Sequence, residues 1–404
     1  MEFLKSITAK EARQIIQAFP VNLKTETIRI DDVQGRVLAE ALIAVDTIPP
    51  FTRSLVDGYA VKTKDVQGAK ETSPAFLNLK GEIRIGEEAL ITISVGDCVY
   101  VSTGSMMPEG SDAVVMQEQA RRVPDAVEIT KAVFQGENIC YAGEDIQKGV
   151  TMLRKGKRIT PLDAGVFAAL GVAVLQVYRQ PKIALISSGD EIVGIDETPS
   201  LGKVRDINRY TVSALLEKEG AQVIFLGLAK DSISDITEKL APASDYDMVL
   251  VSGGSSKGER DFITASIEKL GGEIIFHGIN IKPGKPTIFG KLFGKPIFGL
   301  PGHPSSCAMV TVCFVLPLVR CLHGDTEHEE KTAEGVLTAN VPSLYGIEEY
   351  PRVTLKKTDE GYLVTPVFSK SALISSLAQA DGYVIVPEGT EGLEKGETIE
   401  VHFF

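Results

Sequence analysis

The chain has 404 residues, 44% of them hydrophobic and 24% charged, which exceeds one ordinary core and matches a soluble globular protein of several domains. With 42 Lys and Arg against 54 Asp and Glu the net charge is −12, which argues against non-specific binding to nucleic acid or anionic membranes but leaves a local basic loop free to hold a small anion. Five cysteines are scattered without a CxxC, the opening MEFLKSITAKEARQII has no continuous apolar core, and no run is expected to reach the length of a membrane span; disulfides, structural zinc and a secretory signal give way to a reducing cytoplasm.

In chain order, an amphipathic helix is expected over Ala9 to Phe19. Short alternating runs broken by Gly and Pro follow, as in GEIRIGEEALITISVGDCVYVSTG, and read as a small β domain. A second helix, PLDAGVFAALGV, is placed outside it. From about Pro181 to Gly324 the pattern changes. KIALISSGDE is a near-continuous apolar run, as a strand buried on both faces requires. NRYTVSALLEKEGA has helical spacing and ends at Gly220; QVIFLGLAKD is a second strand, and SISDITEKL a helix opened by a Ser with an acid three residues on. DMVLVSGG, a helix near DFITASIEKL, EIIFHGI, and KPIFGLPGHPSSCAMVTVCFVLPLVRCL with its long apolar helix continue the alternation. Such alternation predicts a central open parallel α/β sheet in a multidomain α/β chain. After about Glu329, strands separated by turns (YPRVTLKK, GYLVTPV, ETIEVHFF) form a second small β domain.

Ligands of an open parallel sheet sit beyond the carboxyl ends of its strands. The polar residues fall there: Asp190 and Glu191 after the first strand, Asp231 after the second, SGGSSKGERD with Gly253, Gly254, Ser256 and Asp261 after the third, and LPGHP with Pro301, Gly302 and His303 after the last. Lys282 and Lys285 lie in IKPGKP. A glycine turn feeding a helix N-terminus suits an anion, and carboxylates beside it require a cation between. Oxygen-rich, histidine-poor surroundings favour Mg²⁺, held by one or two carboxylates together with substrate phosphates. Singly each motif is a turn, a cap or a packing residue; together on one sheet edge they suggest chemistry on a phosphate or another tetrahedral oxyanion. The β-rich first part offers Asp57 in PPFTRSLVDGYAV, Thr103 and Asp112 in STGSMMPEGSDAVV, and Glu144 and Asp145 in YAGEDIQKG, each readable as a turn.

Seven of these motifs in order (PPFTRSLVDGYAV, STGSMMPEGSDAVV, AGEDIQKG, SSGDEIV, SGGSSKGERD, IKPGKP and GLPGHP) resemble the molybdopterin molybdenumtransferases, the family that includes the C-terminal catalytic domain of gephyrin. The resemblance covers nearly the whole chain. It implies a segmented elongated linker region (residues 1–26 and 146–178), an inserted small β domain (27–145), an α/β molybdopterin-binding domain (179–325) and a C-terminal β-barrel (326–404). It further implies a cytoplasmic homodimer whose site is shared between subunits, with a molybdopterin adenylyltransferase as a further partner. In the implied reaction, adenylylated molybdopterin and molybdate (or tungstate) are bound, AMP leaves with Mg²⁺, and molybdenum enters the dithiolene. By motif, the functional positions are Asp57, Thr103, Asp145, Glu191, Asp231, Ser256, Asp261 and Lys282, with Glu191, Asp231 and Asp261 on the metal and nucleotide, and Lys282 with Lys285 on anionic groups. Gly253, Gly254, Pro301 and Gly302 would line the nucleotide, and Arg352 and Ser371 look similar to oxyanion-binding positions. The chain departs from the common pattern at Thr52 and Arg53, at His303, and at Gly278 beside His277.

Rival readings from other classes are a molybdopterin adenylyltransferase, which resembles the α/β part alone, and a non-catalytic gephyrin-like scaffold. The first leaves the N-terminal motifs and the C-terminal strands unexplained. The retained Asp57, Asp231, Asp261 and Lys282 argue against the second.

Overall fold

The computed structural model describes residues 6–253, 261–368 and 374–404, so Gly254, Ser256 and Ser371 lie outside the described residues. The chain forms two compact units, one of residues 41–154 and 162–173, the other of residues 1–40, 155–161 and 174–404.

The first unit carries a six-stranded sheet in the order Ala113–Met116, Gly58–Val61, Asp97–Val101, Ala75–Ile83, Ala126–Ile129, Ala120–Val123. Tyr59, Val61, Leu77, Cys98, Val115 and Val127 pack one core on it, and Ala60, Val99, Val101 and Val114 face another. The period-2 alternation of the sequence thus becomes two buried layers. Gly58 has no substitute: a Cβ there would stand 2.0 Å from the Val115 carbonyl oxygen. At the ends of this unit's long segment, Leu42–Ile43 pairs antiparallel with Thr151–Leu153 and clasps the two chain passes together.

In the second unit the described residues build a six-stranded sheet from β1 (Lys182–Ser188), β2 (Gln222–Ala229), β3 (Met248–Ser252), β4 (Glu273–His277), β5 (Ile288–Leu292) and β6 (Lys295–Leu300), in the order β2-β1-β3-β6-β5-β4. β1 pairs parallel with β2 and β3, and β3 parallel with β6. β5 runs against both β6 and β4, so the sheet is mixed where an all-parallel one was expected. The cause is a two-residue hairpin: Phe293 and Gly294 sit at φ 51° and 78°, the pair of left-handed residues that a type I′ turn needs. Phe is a costly occupant of that region, which is why this strand was not foreseen.

Successive residues of the central strands face opposite layers. Ile183, Leu185, Leu250 and Phe298 pack with the helices Ala9–Gln17, α1 (Asn208–Lys218) and the run Pro304–Leu322. Ala184, Ile186, Val249, Val251 and Ile297 pack against α2 (Ile233–Leu240) and α3 (Phe262–Lys269). The Ser232 cap matches its sequence signal, the side chain accepting from the Asp235 N–H at 3.2 Å, and the structure adds a capping box of Thr8 with Glu11 on the first helix. The run Pro304–Leu322 corrects one expectation. At 19 residues it is long and apolar enough to cross a membrane, yet 78% of its most apolar stretch is buried inside the protein, as befits a core helix. It is α-helical at both ends with a π turn over Thr311–Val315, where Pro317 cannot donate to the preceding turn.

The C-terminal strands Thr332–Leu337, Gly361–Pro366, Arg352–Thr358, Gly382–Tyr383 and Thr398–Phe403 close into a barrel around Leu337, Val353, Val364 and Val401. A buried charged cluster lies near the chain's entry to it. Arg158 Nε meets Asp325 at 2.9 Å and Arg320 meets Glu219 at 2.9 Å, with His323 fully buried beside the Glu219 carbonyl. Burial, and then the nearby Arg158, push the His323 imidazole down to about 4.

His323 is therefore neutral when folded but takes up a proton in the unfolded chain below its ordinary value of 6.5. Stability is expected to be unaffected by this group above pH 6.5 and to fall as pH drops from there, by on the order of 2 kcal/mol at pH 5. Melting curves between pH 7 and 5 should show a shallower decline for His323→Gln than for the native chain; parallel declines would refute the assignment.

Candidate functional site

The carboxyl ends of the sheet strands meet closely. Gly253, at φ +101°, follows β3 and lies so near β1 that a Cβ would stand 1.9 Å from the Ser188 carbonyl oxygen; its own N–H donates to Leu300 O at 3.1 Å. Three strand ends are drawn together at this glycine. Beside it, Ser188 Oγ donates to Asp231 Oδ1 at 2.8 Å, and the Asp231 N–H donates to Asp190 Oδ1 at 3.3 Å. The Glu191 carboxylate folds over Gly189, 2.7 Å from where a Cβ would sit. Asp190, Glu191 and Asp231 therefore share the mouth of β1 and β2, as the motifs suggested.

Asp261 caps α3, accepting from the Thr264 N–H at 3.1 Å, and its other oxygen lies 3.3 Å from His277 Nδ1 at the end of β4. Lys282 reaches back to Glu349, 3.0 and 3.1 Å from its two oxygens, and Lys285 is exposed in the same loop. Arg352, buried in the first residue of its barrel strand, donates to Ser305 Oγ in the opening turn of Pro304–Val310, just past Pro301, Gly302 and His303. Burial pulls the Arg352 guanidinium below its ordinary range.

Two residues that sequence reasoning passed over lie at the same edge. Asn208 Nδ2 donates to Ser252 Oγ at 2.8 Å and to Gly302 O at 2.9 Å, tying the ends of β3 and β6 to the start of α1. Its Oδ1, like Asp206 Oδ2, is buried without a hydrogen-bond partner. A polar pair at the start of a helix, Asp206 and Asn208 in VRDINRY, was the available signal.

In the other unit, Asp57 accepts from the Thr103 N–H at 2.7 Å and from Thr103 Oγ1 at 3.1 Å, an exposed pair at the sheet end. Asp145 is exposed in a separate turn, where its N–H donates to Ile48 O at 3.2 Å. Asp112 serves as a clamp, accepting from the Thr63 N–H at 2.7 Å, and Glu144 accepts from the Tyr141 N–H at 2.7 Å.

Among the described residues no three His, Cys, Asp or Glu side chains gather as a metal cage. Cys98, Cys307 and Cys313 have thiols that burial pushes up to about 12, so they act as packing groups rather than thiolates.

The MoeA N-terminal region (domains I and II) matches residues 7–171, a probable molybdopterin binding domain matches residues 184–321, and the MoeA C-terminal region (domain IV) matches residues 334–404. The chain is 33% identical to the molybdopterin molybdenumtransferase of Haemophilus influenzae over 404 residues, 98% of each chain. It is also 33% identical to that of Bacillus subtilis over 402 residues, 98% of this chain and 93% of the relative. A solved MoeA protein from Pyrococcus horikoshii superposes with a TM-score of 0.86 at 29% identity, over 99% of this chain and 100% of that one. A second, at 35% identity, superposes with a TM-score of 0.82 over 99% of both.

Because Gly253 is required both for its backbone conformation and for the approach to Ser188, Gly253→Ala should destabilise the protein by at least about 2 kcal/mol. Denaturant unfolding measures this, and an unchanged midpoint would show that the strand ends do not depend on the glycine.

Proposed function

Since the chain belongs to the MoeA family of molybdopterin molybdenumtransferases, enzymes of molybdenum cofactor biosynthesis, we propose that its reaction is the insertion of molybdenum from molybdate into adenylylated molybdopterin with release of AMP. The observation that carries this reading is the meeting of strand ends at Gly253, with carboxylates on one side and the lysine loop on the other. An adenylylated pterin presents a phosphoanhydride, and molybdate a tetrahedral oxyanion. Both call for backbone N–H groups, fixed cations and shielding of negative charge.

Asp231, Glu191 and Asp261 would handle Mg²⁺ and nucleotide. The carboxylates at the mouth of β1 and β2, Asp190, Glu191 and Asp231, form an oxygen-only set that fits a hard cation shared with substrate phosphates better than a full protein cage, while Asp261 stands beside His277 at the end of β4. When bound, Mg²⁺ would neutralise charge on the phosphoanhydride. Ser188 and the Asp231 N–H orient the Asp231 and Asp190 carboxylates, which keeps their oxygens fixed rather than free to rotate. Lys282, Lys285 and Arg352 would meet the anionic groups, and Pro301 and Gly302 would shape the wall beside them.

Family likeness supports a homodimer in which Asp57 and Thr103, paired at the sheet end of their own unit, are supplied to the site by the partner subunit. Five free cysteines favour a reducing cytoplasm.

Purified protein with adenylylated molybdopterin, Mg²⁺ and molybdate or tungstate should release AMP only when the oxyanion is present, and the faster anion identifies the metal served. ATP consumption with accumulation of adenylylated pterin would instead identify an adenylyltransferase, and nucleotide binding without release a scaffold. Lys282→Ala should weaken nucleotide affinity about tenfold, about 1.4 kcal/mol, by titration. Asp57→Ala should lower AMP release at least about tenfold while shifting the melting temperature by no more than about 2 °C. A large loss of stability in that variant would assign Asp57 to the fold instead.

A further inference from the structure

Lys282 is held by a residue of the C-terminal region, Glu349, three positions ahead of the barrel strand Arg352–Thr358. Its exposed ammonium, on a side chain 59% accessible, sits 3.0 and 3.1 Å from the two oxygens of Glu349, whose side chain is 8% accessible. A carboxylate buried to that degree needs a cationic or hydrogen-bonding partner. The backbones are locked as well. Ile281 and Lys282 pair parallel with Glu348 and Glu349, the Tyr350 N–H donates to Lys282 O at 2.9 Å, and Glu349 exchanges bonds of 3.0 and 2.9 Å with Val386. On the other side, Asn280 N–H donates to Ile7 O at 2.7 Å and Ile7 N–H to Gly278 O at 3.1 Å. Glu348 is engaged elsewhere, with Arg13 and Tyr350.

We infer that Glu349 is a positioning residue: it aims the Lys282 ammonium at the substrate, so that the segment leading into the barrel sets the cation of the α/β site. This rests on the reading above that Lys282 meets the anionic substrate. A free lysine side chain samples many rotamers, and about 2 kcal/mol of that freedom is given up when its ammonium is fixed. Glu349 removes that freedom in advance and occupies two of the three N–H donors, leaving the third for a ligand oxygen. It also places a negative charge behind the lysine. Removing it should leave binding of an anion unweakened while the aim of the lysine is lost.

The test is a double-mutant cycle with Glu349→Gln and Lys282→Ala in the full chain, reading kcat and KM for AMP release and nucleotide affinity by titration. Glu349→Gln is expected to lower kcat about tenfold with KM unchanged or lower, and to have no further effect in the Lys282→Ala background. Equal loss in both backgrounds, or a rise in KM matching the loss in kcat, would overturn the inference. Should the native chain release no AMP, the functional reading fails alone. The inference is then judged by reductive methylation of Lys282, mapped by mass spectrometry: it should quicken severalfold in Glu349→Gln, and an unchanged rate would refute the pairing.

Discussion

The structure depends on one constraint, that the central strands are covered on both faces. β1 and β3 place alternate residues against two helical layers, Ile183 and Leu185 toward one and Ala184 and Ile186 toward the other, so a polar side chain in mid-strand would have no water and no partner. Polar chemistry is forced to the strand ends. There the sheet leaves backbone groups and loops, and Gly253 lets those ends approach more closely than any residue with a Cβ allows. The probable molybdopterin binding domain that matches residues 184–321 contains this edge, where an open sheet of this kind leaves room for a ligand.

The overall charge of −12 is no obstacle to an anionic substrate when cations are local and held in place. Lys282 and Arg352 are both tied to neighbours across the seam between sheet and barrel, one to Glu349 and the other to Ser305. The C-terminal region thereby fixes two cations beside the α/β sheet. A cation fixed by a buried acid loses less freedom on meeting a ligand than one on a mobile surface chain.

Much of this was legible in the sequence, for reasons that differ by element. Strands β1 and β3 were readable because burial on both faces demands an unbroken apolar run, and α2 because Ser232 is a cap with a local partner. The strand-end positions of Asp231 and Glu191 followed from the order of elements alone. β5 was not readable, since its hairpin uses Phe293 at positive φ in place of an Asn or Asp that would have announced the turn. Glu349 was invisible because its meaning lies in pairing with a loop far away in sequence, and Asn208 because its partners, Ser252 and Gly302, come from two other strand ends. Local patterns carry local structure; contacts that join distant segments leave no period to read. The seven motifs bridged part of that gap by family likeness, a different kind of information from periodicity.

The short clasp between Leu42–Ile43 and Thr151–Leu153 has a bearing on how the chain is made. The ribbon of Thr25–Arg29 with Val174–Tyr178 joins segments separated by the whole β-rich unit. If that unit were unfolded, closing the ribbon would mean restraining a very long flexible loop. Once the clasp forms, the two passes of chain leave the insert side by side, and the loop that remains to be closed is short. The insert is translated before the α/β segment, so it can fold first and hand its host two adjacent ends during synthesis.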